Sequence, residues 1–347
     1  MKVLITGATG LLGSHLIKEL QDRGESIRAL VLPVENASKL EAQGVEIVRG
    51  DITAGNTLAP AVKDVDLIFH LAGMMGVHRP LSDYRLVNVN GTENLYKAAQ
   101  EAGVRRFVHT SSHTVYGLGH ARAMVESDPL RPDADPYSIT KAEGDRMLRR
   151  LMVNSNVETV ILRPDTFFGP GDRLHFGRMA QKTIKGSSLI LGKGDQYIPF
   201  CYVTDVVQGF MLAAYHEKAP GNVYNIATDR PLTALEMFNE IADAVGGKRP
   251  RIHLPYLPIY YGSIVAEKGV ARLTNTKPLV TELGALMFGS NNVHSIEKAR
   301  KELGYDPKVD LREGVRLSAE WFNAGGMDQP SVTQASQNAP LAGAVKS

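Results

Sequence analysis

Three glycines, at positions 7, 10 and 13, constrain this chain more than any other feature. They follow a short β-rich apolar run, Val3 to Ile5, with the composition of a buried parallel strand. They precede Leu12, Leu16 and Leu20, which recur at helical spacing with Ile17 on the same face. A strand that turns sharply into a helix points the helix's first N–H groups at the strand's carboxyl end. Those unpaired donors and the positive helix terminus favour a pyrophosphate. Gly7 then permits the tight turn, Gly10 lets phosphates approach the backbone, and Gly13 lets the helix sit close on the sheet. The GxxGxxG spacing differs by one residue from the common dinucleotide fingerprint, but its strand–turn–helix context is the one that dinucleotide binding requires.

Further strands are predicted at 26–32, 45–48, 66–71, 104–110 and 158–162, with helices between them, notably 92–102 and 137–151. That alternation predicts an α/β fold, a Rossmann-type doubly wound parallel sheet. Past residue 170 the alternation loosens. Residues 1–170 are expected to form mainly the dinucleotide-binding domain. Residues 171–324 are expected to form mainly a smaller C-terminal substrate-binding region, with segments of the two interleaved. Residues 325–347 are small, polar and without periodicity, and read as a disordered tail.

The net charge of +2 gives no reason to expect nucleic acid or an acidic membrane surface as a partner. The single cysteine, Cys201, excludes an internal disulfide and supports no metal cluster. No apolar run approaches the roughly 18 residues of a spanning helix. The chain enters a strand at once, without a signal peptide, so a cytoplasmic enzyme acting on a small molecule is expected.

Several positions then bear on chemistry. The second strand ends in Val31-Leu32-Pro33, with neither the acid that favours NAD nor the arginine that accommodates NADP. Arg28, Glu35 and Lys39 are nearby, so the choice between NAD and NADP stays open. Asp51 either accepts a bond from an adenine amino group or caps the following segment. His70 reads as structural. Ser111 and Ser112 stand at the carboxyl end of the fifth strand, where open α/β sheets bind ligands. Tyr137 and Lys141 are one helical turn apart. A cation held there is expected to lower the phenol's pKa from about 10 towards a usable acid or base.

Together these motifs resemble the extended short-chain dehydrogenase/reductase superfamily, over roughly residues 1–322. The resemblance rests on Gly7 to Gly13, Ser111-Ser112, and Tyr137 with Lys141. His70 to Gly73, Asn88 to Thr92, Arg163-Pro164 and Tyr202 to Val206 add to it. It implies that Ser112 hydrogen-bonds the substrate oxygen and that Tyr137 is the acid in reduction or the base in oxidation. Lys141 would tune that tyrosine and bind the nicotinamide ribose. The cofactor would lie against Gly7, Thr9, Gly10, Leu11, Leu12, Gly13, Asp51, Ile52, Leu71, Ala72, Gly73, Asn88, Ser111, Tyr137, Lys141, Pro164 and Thr166. The substrate would meet Met74, His113, Phe167 and Phe168, with Met75, His78, His175 and Phe176 beside it. No metal ligand is implied, and a homodimer through the helices at 92–102 and 137–151 is.

Two branches of the superfamily compete. Nucleotide-sugar epimerases, dehydratases and decarboxylases often carry an arginine for the substrate diphosphate in a Gly-x-Gly-x-Gln-x-Arg-Asp-Phe segment. This chain has Ile198 and Pro199 in place of the arginine and the acid, and a diphosphate wants cations. The Pro/Tyr-rich stretch at 255–261 and residues 276–281 look more like the 3β-hydroxysteroid dehydrogenase and dihydroflavonol reductase branch. An alcohol–ketone oxidoreductase for a bulky, largely apolar, steroid- or flavonoid-like substrate is therefore favoured. Arg173, Arg178, Arg230 and Arg272 keep the sugar-nucleotide alternative open, and a cofactor-sensing regulator without catalysis is the third possibility.

Overall fold

The computed structural model describes residues 1–77, 79–270 and 280–328. Its strands are β1 (Lys2–Thr6), β2 (Ser26–Val31), β3 (Glu46–Arg49), β4 (Leu67–His70), β5 (Arg106–Thr110), β6 (Glu158–Pro164), β7 (Thr166–Phe168), β8 (Leu189–Leu191), β9 (Phe200–Tyr202), β10 (Val223–Ile226) and β11 (Ile252–Leu254). Seven of them form one parallel sheet in the order β10-β6-β5-β4-β1-β2-β3. The order reverses between β1 and β4, which opens a crevice at the strands' carboxyl ends.

Successive side chains of β1 serve opposite faces. Val3 and Ile5 pack with Leu12, Leu16 and Leu20 of the first helix, α1 (Leu11–Asp22), and with Phe210 of the Val203–Tyr215 helix. Leu4 packs with Leu95 of the Thr92–Glu101 helix and Leu148 of the Pro136–Leu151 helix. Both faces are covered, so the strand reads as a continuous apolar run rather than an alternation. Each fully buried leucine on these faces contributes about 2 kcal/mol of transfer free energy.

The second region is built on β7 paired with β9 and on the Phe176–Ile184, Ala234–Ala244 and Leu311–Trp321 helices. Its core includes Phe168, Phe176, Ile198, Phe200 and Tyr202. Between β9 and β10 the chain returns to the main sheet through the Val203–Tyr215 helix.

The chain stays folded three residues past Gly325, the expected start of the tail. The Arg173 guanidinium donates to the carbonyl of Gly326 at 3.0 Å and to that of Met327, and holds them there. Residues 329–347, His78, Arg272 and 276–279 lie outside the described residues. Among the described residues no helix is long and apolar enough to cross a membrane.

Candidate active site

The crevice begins at the glycine turn. Gly7 has φ +71°, the left-handed region, and a Cβ there would lie 2.8 Å from the Ala72 nitrogen. A Cβ on Gly13 would lie 2.5 Å from the Gly7 carbonyl oxygen. The turn and α1 are therefore packed backbone to backbone. α1 starts after Gly10 with no side-chain cap and no acid in its first turn. Its twelve residues end in N–H donors without an anionic partner, beside the carboxyl end of β1. A diphosphate fits that arrangement.

The neighbouring side chains settle an open orientation. The Thr9 hydroxyl donates to the carboxylate of Glu35, which also accepts the Leu32 N–H at 3.2 Å. An acid thus stands just past β2 and touches the glycine turn. Arg28 is turned away, with its guanidinium on the carbonyls of Pro60, Ala61 and Lys63 and paired with Glu46 at 2.8 Å. Asp51 accepts the Thr53 N–H at 2.8 Å, and the Gly55–Thr57 turn that follows has no side-chain cap. Ile52 is buried, and its carbonyl accepts from Asn94 at 3.0 Å. Leu11 and Leu12 open α1, with Leu12 in the core. The Leu71 N–H donates to the Thr6 carbonyl and that of Ala72 to the Thr6 hydroxyl. Thr6 also bonds His70 Nδ1 at 2.8 Å, and Thr92 bonds its Nε2 at 2.8 Å, so His70 is structural.

The chemical residues converge from two elements. β5 ends at Thr110, and Ser112 then caps a tight turn, His113–Tyr116, by accepting the Thr114 N–H at 3.2 Å. The Tyr137 helix begins with Asp135 as cap, accepting the Ser138 N–H at 3.0 Å, and Pro136 in its first turn. These two ends bring Ser112 and Tyr137 to the same side of the crevice, with the Ser112 hydroxyl 3.0 Å from that of Thr114. Lys141 is buried, and its ammonium donates to the Thr110 carbonyl at 2.7 Å and lies 6.0 Å from the centre of the Tyr137 ring.

The electrostatics differ from the expectation at one point. Burial pushes the Tyr137 phenol up to about 12, against a smaller downward pull from the neighbouring Ser112 hydroxyl. Lys141 is not among the groups that lower it. Burial instead pulls Lys141 itself down to about 8. The ammonium serves the Thr110 carbonyl rather than the phenol, so at neutral pH the tyrosine is a loaded proton donor.

Asn88 braces the crevice. It accepts the Met74 N–H at 2.7 Å and donates to the Met74 carbonyl at 3.1 Å and to Thr140 at 3.0 Å. It stands in a wide helical turn, Leu86–Gly91, leading into Thr92–Glu101. A Cβ on Gly73 would lie 3.2 Å from both Asn88 Oδ1 and Lys141 Nζ.

Other expected residues have different duties. The Ser111 hydroxyl donates to Asp145 at 2.9 Å, and Asp145 is locked to the fully buried Arg163, so this hydroxyl is engaged inside the core. Phe168 is fully buried among Phe176, Phe200 and Tyr202, with ring centres 5.8–6.1 Å apart. It and Phe176 are core residues, not pocket walls, because β7 turns them into the second region. Phe167 is half-buried against the main core, and Met74, Met75 and His175 are half-buried as well. Pro164 pairs with Ile226 in the sheet. Thr166 faces His113, with its hydroxyl 3.2 Å from Nε2. Asp145 is the organiser that sequence reasoning missed, because it acts through Ser111 and Arg163, 34 and 18 residues away.

The model of the NAD dependent epimerase/dehydratase family matches residues 3–227. The chain belongs to that family. It is an extended short-chain dehydrogenase/reductase. It is 31% identical over 335 residues to a 3 beta-hydroxysteroid dehydrogenase/Delta 5-->4-isomerase of Mycobacterium tuberculosis, covering 90% of this chain and 88% of the relative. It is 31% identical over 333 residues to a 2-alkyl-3-oxoalkanoate reductase of Stenotrophomonas maltophilia, covering 91% and 98%. Among solved structures it is similar to gox2253, with TM-score 0.79 and 30% identity over 93% of this chain and 98% of that one. It is also similar to MoeE5 in complex with UDP-glucuronic acid and NAD, with TM-score 0.74 and 28% identity over 94% and 100%.

Proposed function

We propose that this protein is an NAD-dependent oxidoreductase interconverting an alcohol and a ketone on a bulky, largely apolar substrate. The observation that carries the reading is the buried Lys141, its ammonium 6.0 Å from the centre of the Tyr137 ring, with Ser112 beside that phenol at the edge that also bears the uncapped α1. Gly7, Gly10, Gly13 and the first turn of α1 would hold the diphosphate. Glu35 supports NAD over NADP, because a carboxylate beside the ribose repels a 2′-phosphate. Bound NAD supplies the hydride chemistry.

The chain's own residues then handle the oxygen and the proton. Ser112 holds the substrate oxygen. Tyr137, protonated at neutral pH, gives that oxygen its proton in the reductive direction and recovers one from solvent. Lys141 positions the ribose end and keeps a positive charge below pH of about 8. The high phenol value favours ketone reduction near neutrality.

The apolar class is supported by Ile198 and Arg173. Ile198 stands in the sequence where nucleotide-sugar enzymes often carry an arginine for the diphosphate, and it offers no cation. Arg173 is occupied by the carbonyls of Gly326 and Met327. The names of the hydroxysteroid dehydrogenase and oxoalkanoate reductase relatives agree with this class. The resemblance to MoeE5 favours the second reading, a nucleotide-sugar enzyme with bound NAD. A homodimer and a cytoplasmic location belong to the proposal as well.

The test is a screen of steroid-like and flavonoid-like alcohols and ketones with NAD or NADH. Turnover with these substrates that vanishes in Tyr137→Phe supports the reading. Turnover with nucleotide-sugars alone, joined by a thermal shift with UDP, reverses the order of the two.

A further inference from the structure

Beside Ser112 two buried ring nitrogens, His113 Nδ1 and His294 Nε2, have no hydrogen-bond partner, while His294 Nδ1 is paired with Asp165 Oδ1 at 2.6 Å. Native interiors leave few such atoms unsatisfied, and each asks for an ion or a water. His113, Asp165 and His294 are 2%, 5% and 3% exposed. They come from three separate places: the turn after β5, the β6–β7 junction, and the segment before the Glu297–Leu303 helix. One ligand atom from each lies within 4.8 Å of the other two.

His294 Nδ1 and Asp165 Oδ1 already pair, so a metal would replace that contact. His113 Nε2 is 3.2 Å from the Thr166 hydroxyl, which can take its N–H and leave the Nδ1 lone pair facing inward. Burial holds the His113 ring neutral, well below the usual imidazole range. The His294 ring is fixed between Tyr116 and His113, with ring centres 5.8 and 5.1 Å away.

We propose that His113, Asp165 and His294 form a three-ligand site for one divalent transition-metal ion of the zinc class. Two imidazoles and a carboxylate suit Zn²⁺, with bonds of about 2.0–2.2 Å. The ion neutralises a buried carboxylate and ties the 290–296 segment to the turn that carries Ser112.

The test is metal binding by the full-length protein, read independently of turnover. The protein is stripped with EDTA, titrated with ZnCl₂, desalted and assayed for bound zinc. A parallel sample with CoCl₂ is read by its visible absorption, which reports direct coordination. The expected result is one retained equivalent and a low-symmetry cobalt spectrum. Asp165→Asn and His294→Gln should each weaken binding by at least about 100-fold, the upper end of the loss for an outer-shell partner. Circular dichroism establishes that each variant is folded. Tyr137→Phe should bind metal as the parent does, so failure of the metal site and failure of the proposed reaction are separable. Absence of saturable binding in the parent overturns the proposal whatever the variants do. So does equal binding by parent and folded variants, and a plain Asp165–His294 hydrogen bond then remains.

Discussion

Replacing Lys141 with methionine should stabilise the cofactor-free protein while disabling it. Lys141 is 5% exposed, and burial lowers it from 10.5 to about 8. At about 1.4 kcal/mol per unit, that depression corresponds to about 3 kcal/mol held against folding while the ammonium is charged. Methionine removes that penalty with little change in volume. It also removes the hydrogen bond to the Thr110 carbonyl, worth about 1 kcal/mol. The net gain near pH 7 should be about 2 kcal/mol. The sign with pH follows from proton binding. Between pH 8 and 10.5 the unfolded chain holds the lysine proton and the folded chain has lost it, so the parent gains stability as pH rises. The variant does not, and its advantage should be gone by the upper end of that window. Urea denaturation of parent and Lys141→Met at pH 7 and pH 10, without cofactor, measures both. A variant less stable than the parent at pH 7, or a difference that ignores pH, would refute the reasoning.

Arg163→Met should cost about 3–5 kcal/mol, because it strands the Asp145 carboxylate in a fully buried site with only the Ser111 hydroxyl to serve it; a shift of the urea midpoint measures it. Gly13→Ala should cost about 1–3 kcal/mol and weaken NAD binding, since the new methyl meets the Gly7 carbonyl at 2.5 Å; a Kd for NAD checks the second part. Glu35→Gln should narrow the preference for NAD over NADP, read as a ratio of kcat/KM values. Ketone reduction should fall as pH rises through about 8, where Lys141 loses its charge, before the Tyr137 phenol titrates.

How much of this was legible in the sequence depends on the range of the contacts. The glycine turn, β1 and α1 are local, and their periodicities mark them directly. Ser112 and Tyr137 are 25 residues apart, but each occupies the start of a recognisable turn or helix. Phe168 and Phe176 read as pocket residues because aromatic side chains after a strand look alike whether β7 turns inward or outward. Ser111 and Ser112 are chemically identical in sequence. Only the depth of Asp145 and Arg163 sends one hydroxyl into the core and leaves the other at the phenol. The effect of Lys141 on Tyr137 was misjudged because spacing reports proximity and not which oxygen the ammonium serves. Glu35 was visible near the end of the second strand but not orientable, since Thr9 lies 26 residues away, and His294 gave no local signal because Asp165 lies far along the chain.

The central claim is that the Tyr137 phenol, beside Ser112 and Lys141, gives its proton to the oxygen of an apolar ketone. The most direct measurement is single-turnover NADH oxidation with such a ketone by the parent and by Tyr137→Phe, with the Kd for NADH determined for both. The account predicts a loss of about 10²–10⁴-fold in the chemical step at unchanged NADH affinity. A Tyr137→Phe enzyme that turns over at the parent's rate would contradict it.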